Sequence, residues 1–243
     1  CYHGWTYDED GNCTAPFLAA GAPRPRGVTA YPARQAYGLV FIFPGEPVLA
    51  DKTPLPDLPE YAQNFVSICV KRRVNCHYSF MHENLMDMSH QFLHRRWMGQ
   101  FRPTLLDVRK KENEYVEVDY AYDPMQGGLV LRTLLPGLLG RAAHRRFEVG
   151  NGSSSRDRTQ SSDFMTVSTR YPYQSLSLYR RGLEQPMLKL WLAHVPIDKD
   201  QRSNQPCGVL MIRKSRIPGL IFLLRPFFEF CTNAIFEEDR FAL

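Results

Sequence analysis

From Phe65 to Cys76 apolar and polar residues alternate closely enough to predict a strand, and from Phe80 to Arg96 the chain carries neither Gly nor Pro and reads as helix. Further strand-like runs follow at Tyr115–Tyr122, Leu129–Leu134, Phe164–Arg170, Leu176–Tyr179, Leu188–Val195 and Gly208–Ile212. Between them the Ser-, Gly- and Arg-rich stretch Gly150–Asp163 reads as a surface loop. The tail from Pro218 to Leu243 is helical in pattern after Pro226. Residues 1–48 are rich in Gly, Pro and aromatics, with one β-like run from Gly38 to Phe43 closed by Pro44-Gly45. Residues 49–61, with Pro54, Pro56 and Pro59, read as a linker. The pattern predicts an α+β fold: an antiparallel sheet with one helix near its start, another at its end, and helices on one side.

Composition leaves that reading in place. Hydrophobic residues make up 44% and charged residues 23% of the 243, the balance of a globular protein with a buried core. The net charge of +5 is modest. The basic clusters Lys71-Arg72-Arg73, Arg95-Arg96, Arg109-Lys110-Lys111 and Arg145-Arg146 read as solvated faces or strand ends, with an acidic electron carrier as the alternative. No aromatic-basic motif accompanies them, so nucleic acid is not expected as a partner. Six cysteines without repeated spacing argue against a secreted disulfide framework and suit a reducing cytoplasm. The most hydrophobic stretch, Ile217–Phe236, is interrupted by Pro218, Arg225, Pro226 and Glu229. It reads as a buried or interface helix, with contact at a membrane surface as the lesser alternative.

The chemistry concentrates in His82-Glu-Asn-Leu-Met-Asp-Met-Ser-His-Gln-Phe-Leu-His94. On a helix His90 and His94 are four apart and project from one face, where both imidazoles can meet one metal ion. Asn84 and Asp87 precede them at three-residue steps, and Asp87 is placed to accept a hydrogen bond from a ligand imidazole. Histidines at this spacing also occur on ordinary helix surfaces, so Asn84 and Asp87 are what lift the pair above that reading. No Glu follows His90 as in His-Glu-x-x-His, which speaks against a zinc protease.

Asn84-Leu-Met-Asp87-x-x-His90 resembles the iron-binding helix of the α-subunits of Rieske non-haem iron oxygenases, in the branch of vanillate O-demethylase and dicamba monooxygenase. The resemblance implies two histidines and one distant aspartate on ferrous iron, with open positions for O₂. His90 and His94 take the histidine places, with three residues between them where those relatives usually have four. Phe236-Glu-Glu-Asp-Arg240 is similar to the family's C-terminal Glu-Asp-Lys/Arg segment, so the third ligand is expected at Asp239 in preference to Glu238. Asp87 and Asn84 then belong to the catalytic machinery, and the family implies a ring of three subunits in which an Asp like Asp87 bridges a cluster histidine of one and an iron histidine of the next.

Cys1-Tyr-His-Gly-Trp5 resembles the end of the second half of a Rieske [2Fe–2S] motif, Cys-x-x-His-Gly-Trp. By that match His3 is a cluster ligand; Cys1 lies two residues before it where the family has three, and is expected beside the cluster, with the ligand cysteine upstream. The chain is accordingly expected to be a piece cut at both ends, inactive alone. The implied organisation is the C-terminal part of a Rieske β-domain (1–48), the linker (49–61) and a helix-grip catalytic domain (62–243). The implied function is hydroxylation or oxidative demethylation of a small organic, aromatic substrate at Fe(II). Electrons would pass from NAD(P)H through a reductase, with or without a ferredoxin, to the cluster. Phe92, Met165 and Trp191 could line the pocket or simply pack the core, while His194 is expected as a sheet residue. Two other readings stand beside this one: an iron-free helix-grip binding module, and a zinc-dependent hydrolase using His90 and His94.

Overall fold

The computed structural model describes residues 4–14, 19, 21–23, 26–61, 64–94, 96–97, 99–111, 115–127, 163–180, 183–215 and 217–242. It divides into two compact units, residues 1–57 and 58–243. The first holds two small antiparallel pairs, β1 (Thr6–Tyr7) with β2 (Cys13–Thr14) and β3 (Ala33–Ala36) with β4 (Leu39–Ile42), then the short helix α1 (Pro47–Ala50). Tyr37 and Gly38 join β3 to β4 with φ of 57° and 73°, the left-handed values a two-residue hairpin loop requires.

The second unit is built on seven antiparallel strands: β5 (Phe65–Lys71), β6 (Gly99–Lys111), β7 (Tyr115–Gly127), β8 (Phe164–Arg170), β9 (Tyr173–Tyr179), β10 (Leu188–Pro196) and β11 (Asn204–Arg213). Their order is β5-β11-β10-β9-β8-β7-β6, so the last six strands form a meander and β5 is added beside its end. Among the described residues the unit also holds the helices α2 (Tyr78–Met86) and α3 (Leu220–Ala242). Val66, Ile68 and Val70 of β5 and Leu210 and Ile212 of β11 repeat with the period of two that puts them on one sheet face. Met81 of α2 and Ile221, Phe228 and Phe236 of α3 pack into the same cluster, so both helices cover that face. The expected α+β class with an antiparallel sheet is what the chain adopts.

Several elements differ from the sequence reading. The helix expected over Phe80–Arg96 stops at Met86, and Met88–His94 is a 3₁₀ segment. Asp87, between them, is extended (φ −87°, ψ 96°), and its carboxylate accepts the Ser89 amide at 2.8 Å, closing a local turn that competes with the helix. The C-terminal helix begins at Leu220 and runs through Pro226. The carbonyl that loses its partner to the proline belongs to Phe222, which is 65% exposed, so water can serve it. The β5 strand ends at Lys71, short of Cys76. Strand β6, absent from the sequence reading, pairs with β7 along its length. The expected strand Leu129–Leu134 and residues 150–162 of the expected loop lie outside the described residues. Among the described residues, no helix is long and apolar enough to cross a membrane.

The basic cluster Arg109-Lys110-Lys111 is the end of strand β6, one of the two places expected for it, and within it Arg109 is engaged by carboxylates. Arg109 of β6 is bonded by Asp119 through both carboxylate oxygens (2.5 and 3.0 Å), by Asp107 at 3.0 Å and by Glu117 at 3.2 Å.

Candidate metal centre

Two segments far apart in sequence form the site. The last turn of α2 carries Asn84, the 3₁₀ segment after it carries His90 and His94, and the last turns of α3 carry Glu238 and Asp239. Phe228, Cys231, Phe236 and Asp239 lie at the buried positions of α3, at offsets of three, eight and eleven residues. Asp239 thus stands on the apolar stripe of the helix, where a carboxylate needs partners to offset its lost hydration.

Those partners are present. Asp239 Oδ1 accepts the Asn84 Nδ2 amide at 2.9 Å, lies 3.1 Å from His94 Nε2 and 3.9 Å from His90 Nε2. One ligand atom from each of His90, His94 and Asp239 lies within 4.8 Å of the others. The second nitrogen of each imidazole is already committed. His90 Nδ1 bonds the Asp87 carbonyl, and His94 Nδ1 bonds Glu238 Oε2 at 3.0 Å. A carbonyl can only accept, so His90 Nδ1 donates and its Nε2 presents a lone pair in the neutral ring, whereas His94 has an acceptor carboxylate at each nitrogen, and a metal ion at Nε2 is what would leave its proton on Nδ1. Two imidazole lone pairs facing a carboxylate repel unless a positive charge lies among them, either a proton or a metal ion. Burial disfavours the His94 imidazolium, but Asp239 and then Glu238 outweigh it and raise its pKa above the ordinary value. The donor set therefore fits a divalent metal of the two-histidine, one-carboxylate kind.

Placement of the other residues is mixed. The Asp87 side chain does not take a hydrogen bond from a ligand histidine as the continuous helix would have arranged. Its backbone carbonyl does so, while the exposed carboxylate bonds Ser89, which holds its pKa low. Met165 is buried with Met88 and Val167, next to the 3₁₀ segment, and Trp191 is buried beside Tyr173 at 5.3 Å. Phe92 is 61% exposed, so it is not a core residue. Cys1 and His3 lie outside the described residues. The sequence reading missed Glu238 as a partner of His94, because adjacent acidic residues on a helix look alike until its phase is known.

His194, read as a sheet residue, sits in β10 at 1% exposure. Its Nε2 meets Gln174 Oε1 at 2.8 Å, and Gln174 Nε2 in turn donates to the His82 carbonyl at 2.8 Å. Gln174 Oε1 can only accept, so His194 carries its proton on Nε2. Burial, then the His82 ring 4.7 Å away, pushes the His194 pKa down to about 3. The folded value lies below the unfolded one, so the unfolded chain binds the extra proton, and stability falls as pH drops from about 6.5 towards 3. His194→Gln is expected to flatten the pH dependence of unfolding free energy between pH 7 and 5 by ~1.4 kcal/mol per pH unit at most. Urea titrations of both proteins at several pH values check it; parallel slopes would refute it.

With this geometry established, known proteins can be compared. The family model of the vanillate O-demethylase oxygenase C-terminal domain matches residues 74–243. Over its whole length the chain is 26% identical to 4beta-methylsterol monooxygenase of Methylococcus capsulatus and spans 62% of that protein. Over 101 residues (39% of this chain, 29% of the relative) it is 34% identical to the oxygenase component of dicamba O-demethylase from Stenotrophomonas maltophilia. A crystal structure of dicamba monooxygenase bound to 3,6-dichlorosalicylic acid matches with a TM-score of 0.65 at 18% identity, over 99% of this chain and 67% of that one. That likeness concerns the fold.

Proposed function

The chain belongs to the family of vanillate O-demethylase oxygenase C-terminal domains, and on that premise we propose that it supplies the mononuclear Fe(II) centre of a Rieske-type oxygenase. The observation that carries this reading is the shared orientation of His90 and His94: each has its Nδ1 bound by the protein and its Nε2 turned to Asp239. His90, His94 and Asp239 would hold the iron, and Asn84 would hold the Asp239 carboxylate. When bound, such iron activates O₂ with electrons delivered to it. The protein's own groups keep the ligand atoms together, and the Asp87 carbonyl keeps the His90 ring in its Nδ1–H tautomer.

The substrate is organic and bears a methyl group in this reading. The relatives' names support it, one acting on a 4β-methylsterol and another removing a methyl from dicamba. Monooxygenation or O-demethylation is favoured over dihydroxylation on the same ground. Electrons would come from NAD(P)H through a reductase, directly or by way of a ferredoxin, to a [2Fe–2S] cluster to which His3 belongs. Residues 1–48 would then be the end of the cluster domain and 62–243 the catalytic domain. A homotrimer is the assembly that gives Asp87 its bridging role; its exposed carboxylate is compatible with a partner across an interface.

The test is turnover by the parent protein containing this chain, with reductase, NADH and a panel of methylated aromatics and sterols. Product that needs both O₂ and reductant is expected. Hydrolysis without either, with zinc bound, would favour the hydrolase reading, and ligand binding without metal the iron-free module.

A further inference from the structure

We propose that Glu238 is the positioning residue that makes His94 a metal ligand, an inference that rests on the metal reading of the site. Glu238 and Asp239 are neighbours on α3, about 100° apart around the helix, and they reach the His94 ring from two sides. Glu238 Oε2 lies 3.0 Å from Nδ1, and Asp239 Oδ1 lies 3.1 Å from Nε2. The two ring nitrogens point away from each other, so a carboxylate bound to Nδ1 cannot share a metal with Nε2. Glu238 is therefore excluded from the ligand set by the bond it makes. What that bond does is hold the proton on Nδ1, fix the ring's rotation, and leave the Nε2 lone pair towards His90 and Asp239.

The surroundings suit this role. The His94 side chain is 5% exposed and cannot reorient towards water, whereas Glu238 is 24% exposed. Glu238 borders a surface hollow of about 430 Å³ that Leu93, Arg96, Trp97 and Ala234 also line. Its carboxylate thus remains partly hydrated, which lowers the cost of keeping a charge beside a buried ring. His90 is treated differently: its Nδ1 is held by a backbone carbonyl, a contact that no side-chain substitution removes. The prediction is an asymmetry, in which one ligand histidine depends on a replaceable carboxylate and the other does not.

Co(II) titration of the metal-free chain, followed by its visible spectrum, tests this. Glu238→Ala is expected to weaken Co(II) binding about 10- to 100-fold, Glu238→Gln less, because its amide oxygen still accepts from Nδ1. Glu237→Gln, on the exposed neighbouring position, is expected to bind as the parent does. Thermal melts establish that each variant is folded. A second measurement reads the ring itself: long-range ¹⁵N–¹H spectra of the Zn(II)-loaded protein should show His94 as the Nδ1–H tautomer with Nε2 on the metal, and a loss of that form in Glu238→Ala. Unchanged affinity in Glu238→Ala, or an unchanged tautomer, would overturn the proposal. If the parent chain itself binds neither Co(II) nor Zn(II), the metal reading fails and the positioning role with it; if the parent binds and Glu238→Ala binds equally well, the positioning role alone fails.

Discussion

Asp239→Ala is expected to abolish retention of iron, leaving less than about a tenth of the metal held by the parent chain after anaerobic desalting, with affinity reduced by more than about 100-fold. The size follows from what the carboxylate touches. Asp239 Oδ1 faces His94 Nε2 at 3.1 Å and His90 Nε2 at 3.9 Å, and among the described residues it is the carboxylate grouped with the two rings, Glu238 being engaged at His94 Nδ1. Truncation removes the anionic ligand and also leaves the Asn84 amide without the acceptor it meets at 2.9 Å. Two neutral imidazoles alone hold Fe(II) weakly. Asp239→Asn retains the shape but loses the charge, and should fall between the two. Metal analysis of the three proteins, each shown to be folded by its melt, checks this; iron retained in Asp239→Ala would remove Asp239 from the ligand set.

The largest effect on stability is expected away from the site, at Arg109. Its guanidinium is paired with Asp107, Glu117 and Asp119, and Asp119 is only 4% exposed. Arg109→Met leaves three carboxylates together on the β6–β7 pair, one of them buried with Thr166 as its remaining partner at 2.7 Å. Breaking a buried pair by removing one member costs about 3–5 kcal/mol. Exposure of part of the Arg109 side chain puts the expected loss near the lower end, about 3 kcal/mol in urea unfolding. Replacing both partners, as Arg109→Met with Asp119→Leu, should recover most of it, because no buried charge is then left alone. A loss below about 1 kcal/mol in the single variant would show that the cluster is only a surface network.

These two residues also show what could and could not be read from the sequence. Strands β8, β10 and β11 were legible because Val167, Leu192, Val209 and Met211 sit in apolar runs with the period of a sheet. Strand β6 was not, since its Arg102, Asp107, Arg109 and Lys110 look like a solvated segment. Its polarity is satisfied across the ladder, where Arg109 pairs in register with Glu117, a fact that depends on β7 being alongside. At the metal centre, the His90–His94 pair and the Phe236–Arg240 segment were visible as chemistry. The break at Asp87 was not, because it depends on a side-chain bond to the Ser89 amide competing with helix propagation. The choice between Glu238 and Asp239 had a readable signal: Asp239 continues the apolar stripe of Phe228 and Phe236, and Glu238 does not. That stripe lies wholly after Pro226, within the stretch that reads as helical from the sequence.

The central claim is that His90, His94 and Asp239 form a single mononuclear iron centre. Metal identity and stoichiometry after anaerobic purification, for the parent chain and His90→Ala side by side, test it most directly. About one iron per parent chain is expected, and its loss in His90→Ala. Zinc in place of iron, or iron retained by His90→Ala, would contradict it.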